Sequence, residues 1–258
     1  NQRISFLSLV SAMAVSPFIT GWCRHAEWIC LLWYSTKKKM LSIWKKWSTK
    51  GASFAEKTIN KEKIFRMITK SNPAILVIDM VKDYFDPRRN LKITPYARAI
   101  IDPIKDLTRT FRTNGWPVIF ATDSFKEDDF IFSARMKPES LAGTEGAQVI
   151  DELERKPEDL WLPKPRFSAF FQTGLTKYLR ERNVTICAVA GIATFFCVLT
   201  TALDAICYDF RSVIVSDCSA AASEEIHKET LHLYTKTALY PLLKVSTSSE
   251  LLSDLESD

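Results

Sequence analysis

Apolar residues gather in short unbroken runs at 74–78, 117–121, 159–162, 184–190, 212–215 and 242–245. Several, such as Ile75-Leu76-Val77-Ile78, are β-branched or aliphatic throughout. Strands without polar alternation are buried on both faces, as in parallel sheets covered by helices. Between the runs lie amphipathic stretches of helical length at 96–114, 170–182, 195–208, 223–237 and 247–256. Asn114-Gly115 and Asn183 are the residue types that stop a helix. The repeated strand–helix order predicts a doubly wound, three-layer α/β/α fold, Rossmann-like, around a mostly parallel sheet of about six strands.

This pattern begins near residue 67, and the charge changes at the same place. Residues 1–66 hold 12 Lys/Arg against 3 Asp/Glu, and residues 67–258 hold 23 against 27. The whole-chain net charge of +5 therefore belongs to the first quarter, and no nucleic-acid partner is expected from it. The chain divides into a basic, Trp-rich extension at 1–66 and a domain at 67–258. The extension has three readings. It is a poorly ordered or non-native segment, a targeting or membrane-anchoring segment built on the apolar residues 4–22, or a basic amphipathic helix near 40–63. The six cysteines include no C-x-x-C pair, which points to a reducing compartment. A cytoplasmic protein is expected, unless residues 4–22 export or anchor it. With three His in the chain, neither a His-rich metal site nor a cofactor is expected.

Ligands of open α/β sheets bind beyond the carboxyl ends of the strands. The residues that follow each predicted strand are therefore the candidates. Asp79 and Asp83 follow the first, Asp123 the second, Lys164 the third and Asp217 the fifth; Gly191 to Thr194 follow the fourth, with Cys197 opening the next helix. Asp79 is either an active-site carboxylate or a cap, and Asp83 reads as structural. Lys164 stands between Pro163 and Pro165, whose fixed backbone suits a positioned charge, although a lone loop lysine is usually solvated. In a first helical turn, free amides and the dipole favour a thiolate at Cys197, and a nearby ammonium would lower its pKa further. Cys187, Cys207 and Cys218 read as small apolar residues. His227 and His232 lie late in the chain and read as surface or packing residues. The base for Cys197 is therefore expected to be Asp79. Phe85, Phe167 and Phe195 are candidate walls of a small-molecule pocket, with plain core packing as the alternative.

These residues also carry a resemblance. Ala74-Ile-Leu-Val-Ile-Asp79-Met-Val-Lys-Asp83-Tyr-Phe resembles the opening strand of the isochorismatase-like cysteine hydrolases. Gly143-Thr-Glu-Gly146-Ala, Lys164-Pro-Arg-Phe-Ser-Ala-Phe170, Gly191-Ile-Ala-Thr-Phe-Phe-Cys197-Val-Leu-Thr-Thr-Ala202 and Val215-Ser-Asp217-Cys-Ser-Ala resemble their later motifs, in order, over 72–252. The resemblance implies an Asp79–Lys164–Cys197 triad, a cis peptide at Ile192–Ala193, and an oxyanion hole from the amides of Ala193 and Cys197. It implies hydrolysis of a carbon–nitrogen bond in a small amide through a Cys thioester, and assembly into dimers or tetramers. A vinyl-ether hydrolase and a catalytically idle interaction subunit are the alternatives.

Two departures bear on substrate. The nicotinamidases of this family hold a metal through an Asp-x-His pair and a second His. Here the pair reads Asp123-Ser124-Phe125, and the second position falls at or near Glu139. Two carboxylates alone are a poor zinc site, so no metal is expected. The usual Gln or Asn two residues after the acid is Val81.

Overall fold

The computed structural model describes residues 71–257. The three readings of residues 1–66, including the span at 4–22, concern residues outside those described. Among the described residues no helix is long and apolar enough to cross a membrane.

Six strands form one fully parallel sheet: β1 (Pro73–Ile78), β2 (Val118–Asp123), β3 (Leu160–Lys164), β4 (Ile186–Ile192), β5 (Arg211–Ala220) and β6 (Leu243–Ser246). Their order is β3-β2-β1-β4-β5-β6. The expected doubly wound α/β/α architecture is what the chain adopts. Every residue of β1, β2 and β4 is buried, which is the physical content of their unbroken apolar runs. β3 is different. It lies at the sheet edge, alternates in exposure, and there tolerates Pro163, which has no N–H for a second neighbour.

The helices are α1 (Lys82–Phe85), α2 (Thr94–Ala99), α3 (Ile101–Thr113), α4 (Leu175–Glu181), α5 (Leu199–Cys207), α6 (Glu224–Tyr234) and α7 (Ser248–Ser257). Two cores lie on opposite faces of the sheet. Ile75, Val77, Phe120 and Ala188 meet Ile104, Leu107 and Phe111 of α3 and Leu251 of α7 on one side. Leu76, Ile78, Ile119 and Val189 meet Leu179 of α4, Ala202 of α5 and Leu231 of α6 on the other. Adjacent strand residues supply opposite cores because strand side chains alternate between faces.

Several expected boundaries move. The stretch 96–114 is two helices, not one. Pro103, in the first turn of α3, has no N–H to give the carbonyl of Ala99 and collides with it, so the chain breaks at Ile100. The stretch 170–182 becomes helical only from Leu175, after Gln172 takes a left-handed φ of 52°. The stretch 195–208 opens as a π turn, Thr194–Val198, before α5 begins. Asp217 does not follow β5 but lies within it, and its exposed carboxylate accepts from the amide and hydroxyl of Ser248 at the start of α7. It is a cap on the far side of the strand, not a member of the ligand edge.

β1 and β4 touch at the backbone. Ile78 pairs with Gly191, whose φ is +107°, and a Cβ there would stand 2.1 Å from the Ile78 carbonyl oxygen. Only glycine fits. The chain winds outward from β1 to β3, then returns across β1 to β4 and winds the other way. The ends of β1 and β4 are therefore the switch point at which such sheets bind ligands.

Candidate active site

Asp79 is the first residue beyond β1. Its left-handed φ of 53°, a conformation Asp tolerates better than most residues, turns its side chain back under the sheet edge. One carboxylate oxygen accepts from the Asp123 amide at 2.7 Å, and the other accepts from Lys164 Nζ at 2.9 Å. Lys164 is not in a solvated loop, as a lone lysine would be. It closes β3, is 0% exposed, and reaches across β2 to both Asp79 and Asp123 in a very close contact with the latter. Register explains the meeting: Asp123 of β2 is paired with Lys164 of β3.

Cys197 sits in the π turn that follows β4 and is 5% exposed. Its sulfur and one oxygen each of Asp79 and Asp123 lie within 4.8 Å of one another. The structure thus brings the three residues of the expected triad to one edge and adds Asp123 as a fourth. The peptide bond Ile192–Ala193, just before the turn, is cis. Thr194, fully buried, is held by His227, whose Nδ1 lies 2.8 Å from its hydroxyl. His227 therefore supports the turn, not merely the surface of α6; burial pushes its pKa down and keeps the ring neutral.

The electrostatics differ from the expectation of a resting thiolate. Burial pushes the Cys197 thiol well above the ordinary cysteine range; Lys164 opposes this, while the Asp79 and Asp123 charges and a hydrogen bond to Asp79 reinforce it. Desolvation outweighs the ammonium and the helix end. The resting form is a thiol facing Asp79. Lys164 is itself disfavoured as a cation by burial, but the charges of Asp79, Cys197 and Asp123 hold it above the ordinary lysine range.

Two carboxylates share this one ammonium. Burial first, and the Asp79 charge second, raise Asp123 from 3.8 to about 7, against the pull of Lys164. The folded protein therefore holds a proton on Asp123 between those two values that the unfolded chain releases. Stability from this group is complete below about pH 4 and is lost as pH rises through 7. The urea midpoint is expected to fall between pH 5 and pH 8, and Asp123→Asn should flatten that slope.

Two residues that bind Glu139, the carboxylate expected at or near the second metal position, carry no sequence signal of their own: Tyr84 and Arg89. The Tyr84 hydroxyl donates to Glu139 Oε1 at 3.2 Å, and Arg89 donates to Glu139 Oε2 at 2.9 Å while facing Asp83 at 3.5 Å. Asp83, read as structural, accepts from the Ser140 amide and packs on Gly146, where a Cβ would stand 2.3 Å from its carboxylate. Of the candidate pocket walls, Phe167 packs on Phe196 at 4.3 Å between ring centres, and Phe195 is 45% exposed beside them. Phe85 is not with them. It is buried in the core under Arg98, and the surface cavity it borders contains none of the three triad residues.

The donor set does not suit a zinc ion. Asp123 is bound to Lys164, and Glu139 is bound to Arg89 and Tyr84, so the two candidate carboxylates are already neutralised by protein groups. Among Asp79, Asp123 and Cys197, the positive charge is the Lys164 ammonium.

The family model for the isochorismatase domain matches residues 73–243. The chain is 34% identical over 163 residues to an uncharacterized isochorismatase family protein, PncA, of Bacillus subtilis strain 168, covering 60% of this chain and 89% of that one. It is 32% identical over 167 residues to a probable inactive nicotinamidase of Arabidopsis thaliana, covering 60% and 84%. The crystal structure of an N-carbamoylsarcosine amidase from Thermoplasma acidophilum superposes with a TM-score of 0.59 at 30% identity, covering 69% of this chain and 96% of that one.

Proposed function

The chain belongs to the isochorismatase domain family of hydrolases, and from that membership we propose that it hydrolyses a carbon–nitrogen bond of a small amide or carbamoyl compound through Cys197. The observation that carries this reading is the convergence of the Cys197 thiol, the Asp79 carboxylate and the Lys164 ammonium at the switch point of the sheet. Asp79 takes the proton of the thiol, and Lys164 balances the negative charge that results. The sulfur attacks the carbonyl carbon. Its oxygen becomes an oxyanion facing the amides of Ala193 and Cys197, which lie at the start of a turn where N–H groups lack helical partners. Asp79 returns the proton to the departing nitrogen, leaving an acyl thioester. Water, deprotonated by Asp79, then releases the acid and restores the thiol. Phe167, Phe195 and Phe196, whose rings pack on one another beside the turn that carries Cys197, are our candidates for the apolar rim of the substrate site.

Retention of the thiol favours this reading over ether hydrolysis, which needs no nucleophilic sulfur. The N-carbamoylsarcosine amidase is a structural neighbour whose named substrate is a carbamoyl compound, and the unsuitability of Asp123 and Glu139 for zinc points the same way. The test is an ammonia-release screen over small carboxamides, ureas and carbamoyl amino acids, with and without a chelator. Release that persists in chelator and stops on alkylation of Cys197 is the expected result. Ammonia released at full rate by the alkylated protein overturns it.

A further inference from the structure

We infer that His227 is a positioning residue for the oxyanion amides, acting through the buried hydroxyl of Thr194 on the turn that runs from Ala193 to Cys197. The inference rests on the reading of Cys197 as the residue that attacks a carbonyl, and it gives a helix outside the triad a part in the reaction.

Thr194 stands between the cis peptide and the sulfur: it follows Ala193 and opens the π turn that contains Cys197. Its side chain is fully buried, and a hydroxyl so placed needs a partner within the protein. That partner is His227 Nδ1, 2.8 Å away. The ring arrives from α6, and the sheet brings α6 to the turn. Ile192 at the end of β4 is paired with Ala220 at the end of β5, and Ser223 then caps α6 by accepting from the Ile226 amide at 3.2 Å. His227 donates its own amide to the Ser223 carbonyl at 3.1 Å, so the imidazole stands on a capped first turn.

The π turn has few other ties. The Ala193 carbonyl accepts from the amides of Phe196 at 2.9 Å and Val198 at 3.3 Å, which bends the backbone tightly around that one oxygen. Phe195 and Phe196 point outward at 45% and 42% exposure, while Thr194, Cys197 and Val198 are buried. Of those three buried side chains, the thiol is reserved for chemistry and Val198 is apolar. The Thr194 hydroxyl is what remains to tie the turn to another element by a directed bond. A neutral ring makes this tie without setting a second cation beside Lys164. Oxyanion donors act when charge develops on the carbonyl oxygen, so a displaced turn is felt in the transition state more than in binding.

The experiment uses propionaldehyde and iodoacetamide on the full chain, with alkylation of Cys197 read by mass spectrometry. The sulfur adds to the aldehyde carbon, the carbonyl π bond opens onto oxygen, and that oxygen receives the thiol proton. The hemithioacetal therefore probes the oxyanion amides without a known substrate, and it shields the sulfur from alkylation. Propionaldehyde is expected to protect the parent. In His227→Leu and in Thr194→Val, protection should need about tenfold more aldehyde or beyond. Alkylation without aldehyde should change little, since it forms no oxyanion. The double variant should be no worse than either single one, as for two residues that act through one bond. Thr194→Ser, and His227→Asn with a carboxamide that can donate or accept, should recover most of the protection. A loss due to weakened folding would instead track the urea midpoint and would not be rescued. Equal protection in the parent and both single variants, or additive losses in the double, overturns the proposal. If Cys197 is alkylated but no aldehyde concentration protects even the parent, the carbonyl-attack reading fails and takes this proposal with it.

Discussion

Replacing Cys197 with alanine is expected to lower turnover of any amide substrate by about 10⁴-fold or more, the scale seen when a nucleophile is removed from a concerted catalytic group. Cys197→Ser should be almost as inactive, because a hydroxyl beside Asp79 is a far weaker nucleophile than a thiol whose proton that acid removes. Both variants should keep the far-UV circular dichroism of the parent. The check is ammonia release together with intact mass under substrate excess: an acyl adduct is expected on the parent and on neither variant. Selective labelling is the companion measurement. Cys187 is 0% exposed and only desolvation acts on its thiol, whereas Cys197, though desolvated too, is 5% exposed and faces the Asp79 carboxylate that can take its proton; Cys207 is exposed and lies outside the site. Iodoacetamide should therefore mark Cys197 ahead of Cys187. If Cys197→Ser hydrolyses amides at the parental rate, the covalent route is wrong.

Removing the ammonium should be the most damaging change to the fold that the site allows. Lys164→Met leaves the Asp79 and Asp123 carboxylates buried at 1% exposure each with no cation between them. Breaking a buried pair in this way typically costs about 3–5 kcal/mol, through the charge left uncompensated. Part of that cost is escaped by protonation, so the variant should be least destabilised at low pH and lose stability steeply as pH rises. Adding Asp123→Asn removes one of the two stranded charges and should restore a measurable fraction of the urea midpoint without restoring activity. The double-mutant cycle measures the Lys164–Asp123 coupling directly. Additive effects of the two substitutions would show that the contact carries no such energy.

The strands were legible because burial on both faces leaves an unambiguous signature. All six apolar runs became strands in the expected sequence, and the carboxyl ends of four of them supply Asp79, Asp123, Lys164 and Cys197. Helix limits were less legible, since periodicity does not show that Pro103 will break one amphipathic stretch at Ile100. The protonation of Cys197 was misjudged for a physical reason: a position in a first turn announces amides and a dipole, but not that the residue will be only 5% exposed. Tyr84 was overshadowed by its neighbour. Successive residues of a helix point about 100° apart. Phe85, the more apolar of the two, is buried in the core, while Tyr84 packs against the same core only partly buried and its hydroxyl reaches Glu139. Arg89 and Glu139 are 50 residues apart, with no period or motif linking them, and only the folded loop makes them a pair.

The contact of Gly191 with the Ile78 carbonyl has a bearing on how such a protein can diversify. With no space for even a methyl group between the two central strands, the frame that holds acid and sulfur in register is closed to substitution there. Inherited variation in what the protein accepts has to accumulate elsewhere, in the segments 84–95 and 124–146. New appetites can then arise on an old engine without the engine being rebuilt.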